Sequence, residues 1–264
     1  MTNIRPYIIC AISIGLLLFA TSCNEGGRPV ESPAADSASA AEDITQADQL
    51  YGQRADLIQL RRGIVALRQA LTKDPGNYDA AWKLAKFNYY LAMHTDNSKE
   101  RDDAFQAGIE AGKTAVQLQN DKPDGHFWLG ANYGGAAEHS TIQGLATVND
   151  IRNEMQTVLR LNEGYQDGSA YMVLGLVYLN APSVVGGDPK KAVDEMEKGL
   201  RFGEPNAFLH LHLAEAYGKV GRNDDARKEI KKILSMTPDQ NYLPEYKEAS
   251  AAAQKLLDQI DHGG

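Results

Sequence analysis

The sequence predicts an all-α protein, an α-solenoid of about five helical hairpins with inserted segments and a C-terminal capping helix. The first observation is a recurring pair, leucine followed by glycine or alanine, with a tyrosine three residues after the small residue. Clear copies are Leu129-Gly130 with Tyr133, Leu174-Gly175 with Tyr178, and Leu213-Ala214 with Tyr217, and weaker copies begin at Leu84 and Leu50. The second observation is that runs rich in proline, glycine, asparagine and aspartate separate the copies, as expected of turns between helices.

Each unit resembles the tetratricopeptide repeat (TPR), a 34-residue helix-turn-helix with small and apolar residues at fixed offsets. With Ala214 at the small-residue position, the following residues fall in register without a gap: Gly221, Ala226, Ile230, Ile233 and Pro238, and in the first unit Gly63, Leu67, Ala70 and Pro75. The repeated leucines are 34, 45, 45 and 39 residues apart. Three units therefore carry insertions of about eleven, eleven and five residues, which we expect between the two helices of a unit.

A last helix is predicted from about Pro244. Its apolar residues form one stripe, which would cover the open end of the array as solenoids require.

The first 22 residues have the pattern of a secretory signal peptide. Arg5 precedes an apolar run from Ile8 to Phe19 that is short for a transmembrane span. The segment "ATSC", which ends at Cys23, resembles the lipobox of bacterial lipoproteins, although alanine replaces the usual leucine. The resemblance implies a lipidated Cys23 and an exported protein on the periplasmic face of the cell envelope, and Asn24 favours the outer membrane. The alternative is an ordinary cleaved signal with a chance cysteine.

Residues 23–42 are rich in glycine, proline, serine and alanine and have no apolar periodicity, which predicts a flexible tether. Residues 43–264 would then form a single helical-repeat domain. The formal net charge of the chain is −8, which argues against nucleic acid as a partner.

The candidate binding residues lie on the inside of the predicted superhelix, a surface that we call the inner face. In the TPR register, repeat positions 5, 9 and 12 of the first helices reach it. The residues expected there are Trp82, Tyr89, Phe127, Met172, Leu176, Leu179, Phe208 and Leu211. The first helix of the fourth unit is apolar all round, which is typical of a helix buried on every side. Either the insertions cover the inner face, or an apolar channel stays open as a binding site.

Signatures of catalysis and metal binding are missing from the sequence. It has no HExxH, paired-cysteine or Gly-x-Ser-x-Gly pattern, so we predict a non-enzyme with no metal and no cofactor. The stretch "VVGGDPKKA" lacks the spacing of a phosphate loop, and its Asp188 and Pro189 instead predict the start of a helix. An enzyme that uses His139 or His126 is the least favoured alternative.

One polar set has two interpretations. Asn132, Glu138 and His139 surround a pair of glycines. They could form polar contacts to a ligand, or they could cap and pack the end of a helix.

The chain also resembles the T component of tripartite ATP-independent periplasmic (TRAP) transporters. The matching features are the lipobox at Cys23, "LGANYGGAAEHS" from Leu129, and "APSVVGGDPKKAVDEMEKGL" from Ala181 to Leu200. This resemblance implies a periplasmic solute-binding protein as partner and an apolar cavity for a hydrophobic small molecule. We therefore expect a non-enzymatic envelope lipoprotein that acts as a TPR-type binding scaffold, and the alternative is a generic TPR adaptor for protein assembly with a filled interior.

Overall fold

The computed structural model describes residues 33–139 and 141–262, including the side chains of residues 36–139 and 147–262. The predicted signal peptide, Cys23 and the rest of residues 1–32 lie outside this part of the chain. Over the described residues the fold is helical throughout, without a strand. No helix there is both long and apolar enough to cross a membrane.

Five antiparallel hairpins and one further helix make up the described chain, as predicted. The hairpins are α1 (Pro33–Tyr51) with α2 (Leu57–Lys73), α3 (Tyr78–His94) with α4 (Ser98–Leu118), α5 (Pro123–Glu138) with α6 (Thr141–Leu161), α7 (Ser169–Asn180) with α8 (Pro189–Gly199), and α9 (Ala207–Lys219) with α10 (Asn223–Ser235). The last helix, α11 (Leu243–His262), packs against α9 and α10 and confirms the predicted cap. Short 3-10 turns cover Ser183–Val185 and Gln240–Tyr242.

Side chains at the turns set where several helices begin. Asp56, Asn77, Asn97 and Asn206 each accept a hydrogen bond from a backbone N–H in the first turn of the helix that follows. Asp188 does the same for α8, with Pro189 at its first position. The prediction that "VVGGDPKKA" is a helix start is therefore confirmed.

The small residue of the repeat allows the two helices of a hairpin to approach closely. A Cβ on Gly130 would lie 2.4 Å from Cε of Met155 on α6, and one on Gly175 would lie 2.6 Å from Cγ of Met196 on α8. A methionine of the second helix thus fills the space that glycine leaves, and both methionines are fully buried.

The insertions differ from the expectation. The extra residues of the second and third units lengthen the helices, so that α4 and α6 have 21 residues each, whereas α9 and α10 have 13 each. In the fourth unit the turn between α7 and α8 holds a 3-10 turn. Added helical turns keep their backbone hydrogen bonds within the helix, which a loop of the same length would not do.

The predicted tether is too long. Helix α1 begins at Pro33, so residues 33–42 belong to a helix and not to a flexible segment. An alanine-rich composition is compatible with a flexible segment and with a helix, but alanine has the highest helix propensity. Ala40, and Ala47 further along α1, are fully buried in the core.

Two apolar clusters meet at α7. Leu174 and Val173 pack into the cluster built by α1 to α6, whereas Met172 and Leu176 pack against the cluster of α8 to α11. This two-sided packing explains why the sequence of α7 has no polar face.

Candidate functional site

The predicted residues of the inner face divide into two groups by exposure. Phe127 and Leu211 are buried in the core. The others are half-buried: Trp82, Tyr89, Met172, Leu176, Leu179 and Phe208. This surface therefore keeps side chains that a binding partner could contact.

A chain of aromatic rings leads from Tyr89, one of the residues predicted on the inner face, into the core. The ring centroid of Tyr89 lies 5.7 Å from that of Trp128, which lies 5.0 Å from Phe127, which in turn lies 5.3 Å from Tyr165. These separations are in the range of favourable aromatic pairs. Nε1 of Trp128 is buried and has no hydrogen-bond partner among the described residues.

Lys86 stands at repeat position 9 of the second unit, between Trp82 and Tyr89. Its Nζ lies 4.3 Å from the ring centroid of Tyr51 and 5.7 Å from that of Trp128. Burial, together with the charge of Arg54, lowers the pKa of Lys86 to about 8. The ammonium group is thus held by aromatic faces.

Arg54, in the turn between α1 and α2, joins the two ends of the array. Its Nε and Nη2 donate to the two carboxylate oxygens of Glu245 on α11, at 2.8 and 2.5 Å, across 191 residues of sequence. Nη2 also donates to the carbonyl oxygen of Asn241. The guanidinium lies 4.8 Å from the ring centroid of Tyr51, and Arg54 is only 4% exposed. Such bidentate arginine–carboxylate hydrogen bonds are among the stronger polar contacts in proteins.

A second pair lies beside the first. Nε2 of His94 donates to Oε1 of Glu248 at 2.9 Å, and Nδ1 donates to the carbonyl oxygen of Tyr90 at 2.7 Å. Because both partners are acceptors, this arrangement favours the doubly protonated, positively charged imidazole. Burial would lower the pKa of His94, but the hydrogen bonds to Glu248 and Tyr90 outweigh burial and raise it.

The predicted polar set does not form one surface. Asn132 is fully buried, and its Nδ2 donates to the carbonyl oxygens of Ala85 and Trp128. Glu138 and His139 are exposed at the end of α5, where the His139 ring stacks on Phe105.

His126, the other residue of the alternative enzyme hypothesis, belongs to a buried pair that recurs. Its Nδ1 donates to Glu154 at 2.6 Å, and its Nε2 donates to a backbone carbonyl six residues earlier at 2.9 Å. His210 repeats this arrangement with Glu229, at 2.5 Å, and with the carbonyl six residues before it, at 3.1 Å. Both histidines stand three residues before a repeated leucine, and each pair links the two helices of one hairpin as a structural element.

A comparison with protein families gives one match. The model described as "Regulator of microtubule dynamics protein 1-3" matches residues 43–178, just over half of the chain. The chain belongs to this family. A comparison with curated protein sequences gives no match.

Solved structures with the same fold are TPR proteins. The thermophilic TPR protein TTC0263 of Thermus thermophilus is 20% identical, with 80% of this chain and 98% of that chain covered and a TM-score of 0.59. PilF of Pseudomonas aeruginosa is 18% identical, with 87% and 95% covered and a TM-score of 0.54. At this identity the likeness establishes the TPR fold, which was predicted. The TRAP resemblance stays a prediction.

The segment that matches the regulator of microtubule dynamics family contains Arg54, Lys86 and His94 but not Glu245 or Glu248. None of these five residues was predicted from the sequence. Lys86 could have been found, because the register places it between Trp82 and Tyr89. The contacts of Arg54 and His94 with α11 have no sequence signal, since no repeat position connects residues so far apart.

Proposed function

We propose that this protein is a non-enzymatic scaffold that binds a protein partner through the inner face of its TPR array. TPR-fold relatives support a role in protein–protein interaction. The observation that carries the proposal is the half-buried row Trp82, Lys86 and Tyr89, which adds aromatic surface and a cation to the inner face. Tryptophan and tyrosine are among the residue types that dominate binding energy at protein interfaces.

Three of the six histidines support a non-enzymatic role. His126 and His210 have both ring nitrogens committed to structural acceptors, and His94 is committed in the same way. Within residues 33–139 and 141–262, no group of three His, Cys, Asp or Glu side chains could hold a metal ion.

The proposed location is the periplasmic face of a bacterial envelope, with Cys23 as the lipid anchor. This part of the proposal rests on the sequence of residues 1–23 alone. Regulation of microtubule dynamics, which the family name mentions, is not part of the proposal, because the predicted signal directs export from a bacterial cell.

A transporter-associated form of the scaffold is the second candidate. It would pair the protein with a periplasmic solute-binding protein and hold a hydrophobic small molecule. Its support is the TRAP resemblance and the row Met172, Leu176 and Leu179, which are half-buried on one side of α7. Native mass spectrometry of the membrane-extracted protein would detect the small molecule. Detection of the chain without any bound small molecule would contradict the transporter-associated form.

Quantitative co-purification after mild cross-linking in cells tests the scaffold function. The double variant Trp82→Ala, Phe208→Ala should lose partners that the unaltered chain retains. The matched control is Ile58→Ala, Val65→Ala, two exposed apolar residues on α2. Equal partner recovery from both variants, each shown to be folded by circular dichroism, would refute binding through the inner face.

A further inference from the structure

The start of α11 and the turn before it, residues 239–248, form a segment that we call the C-terminal strap. Its carboxylates Glu245 and Glu248 are three residues apart and so lie on one side of a helix. They meet Arg54 and His94, respectively, on the opposite end of the array. Together with Lys86, these two cations form what we call the cationic cluster.

The strap and the rest of α11 are held by different forces. Beyond the strap, Ala249 and Ala253 are fully buried, and Leu256, Leu257 and Ile260 pack on the cluster of α8 to α11. Within the strap Tyr242 is 55% exposed, and α11 has no buried residue before Ala249. Of the strap residues, Tyr246 packs on the cluster of α8 to α11. The two carboxylates of the strap are tied to the cationic cluster by hydrogen bonds and ion pairs, which a competing carboxylate can replace, while the remainder of α11 stays anchored.

The cationic cluster offers more donors than the strap satisfies. Arg54 and His94 each have a carboxylate partner, whereas no ion pair of Lys86 occurs among the described residues. Nε1 of Trp128, whose ring lies 5.7 Å from Nζ of Lys86, is a buried donor without an acceptor among those residues. An unsatisfied buried donor costs free energy that an incoming acceptor would recover. The three cations of the cluster and the neighbouring Nε1 of Trp128 thus face only two carboxylates of the strap.

We propose that the cationic cluster binds an acidic helical segment of a partner protein, and that the C-terminal strap occupies this site until such a segment displaces it. This inference rests on the proposed scaffold function and specifies the chemistry of its partner. A segment with more carboxylates than the strap would also engage Lys86. Because the strap belongs to the same chain, it competes for the site at a high effective concentration. This competition prevents weakly acidic segments from binding.

The test uses the full chain and two fluorescent peptides. One peptide copies residues 241–256, and the other carries Lys247→Glu, which makes it more acidic. The variant Glu245→Gln, Glu248→Gln loosens the strap but leaves the cationic cluster intact. The control variant Glu110→Gln, Glu195→Gln removes the same charge from two lysine pairs elsewhere.

We expect the strap variant to bind the first peptide about tenfold more tightly than the control does, because the site is free in a larger fraction of molecules. The more acidic peptide should bind tighter still, and adding Lys86→Met to the strap variant should abolish that gain. Equal affinity of the strap and control variants would overturn the proposal, and so would a gain that survives Lys86→Met.

Hydrogen exchange of residues 241–248 distinguishes failure of this proposal from failure of the scaffold function. If exchange speeds up in the strap variant but neither peptide binds, the partner chemistry is wrong. The scaffold function is then still tested by co-purification with the variant Trp82→Ala, Phe208→Ala, in which the strap is unchanged.

Discussion

His210 and Glu229 form a deeply buried hydrogen-bonded pair in the fifth hairpin, with 2.5 Å between Nδ1 of His210 and Oε2 of Glu229 and side-chain exposures of 1% and 8%. Burial would raise the pKa of Glu229, but the hydrogen bonds from His210 and Lys232 outweigh burial and hold it below its usual range. The pair joins α9 to α10 next to the repeated Leu213.

Removing one partner of this pair should destabilise the protein strongly. Glu229→Ala leaves a buried imidazole without its acceptor, so we expect the free energy of unfolding to fall by about 3 kcal/mol. Urea denaturation followed by circular dichroism measures the change. The control is Glu215→Ala, which breaks the more exposed pair with His212 and should cost less than about 1 kcal/mol. Similar losses in both variants would contradict this account.

His126 should make stability depend on pH. The hydrogen bond to Glu154 raises the pKa of His126 above its value in the unfolded chain, about 6.5. The stabilisation from His126 is therefore complete below pH ~6.5 and is lost as the pH rises through the folded-state pKa. We expect the difference in unfolding free energy between the unaltered chain and His126→Gln to be larger at pH about 5.5 than at pH about 8.5. A difference that does not change with pH would exclude a charged His126.

Alanine substitutions at two glycines in neighbouring helices should change the stability of the protein in opposite directions. A Cβ on Gly112 of α4 would lie 2.9 Å from Cα of Leu129 on α5, whereas a Cβ on Gly134 meets no atom within 4 Å. Gly112→Ala should destabilise by about 1–3 kcal/mol because the backbone of α5 must move. Gly134→Ala should stabilise by about 0.5–1 kcal/mol through helix propensity. Thermal unfolding of both variants measures these changes. A stabilised Gly112→Ala variant would show that α4 and α5 pack less tightly than the structure indicates.

Lys86 should react with acylating reagents at unusually low pH. Because its pKa is lowered to about 8, half of its amine is neutral near that pH. Lys113 is a suitable reference, since the hydrogen bond to Glu110 raises its pKa. Competitive acetylation followed by peptide mass spectrometry should give a midpoint at least one pH unit lower for Lys86 than for Lys113. Coincident midpoints would mean that Lys86 is fully solvated.

The hairpins were predictable because their signals are local. The repeated leucines, the small residue that follows each of them, and Asp188 before Pro189 all act within one turn or one hairpin. The start of α1 was not predictable in this way, because burial of Ala40 in the core decides between a helix and a tether.

The cationic cluster was only partly predictable. The TPR register places Lys86 on the inner face, but the residues predicted to bind there were all apolar or aromatic. The bond between Arg54 and Glu245 depends on how the last helix lies against the first turn, and that placement results from the packing of every hairpin between them.

The central claim, that the inner face receives a protein partner, is tested most directly by site-specific photocross-linking in living cells. A photoreactive phenylalanine analogue in place of Phe208 on the inner face is compared with the same analogue in place of Val184, which is 89% exposed in the turn between α7 and α8. We predict a discrete cross-linked protein from position 208 that position 184 does not give. The same adducts at both positions, or adducts only at position 184, would contradict the claim.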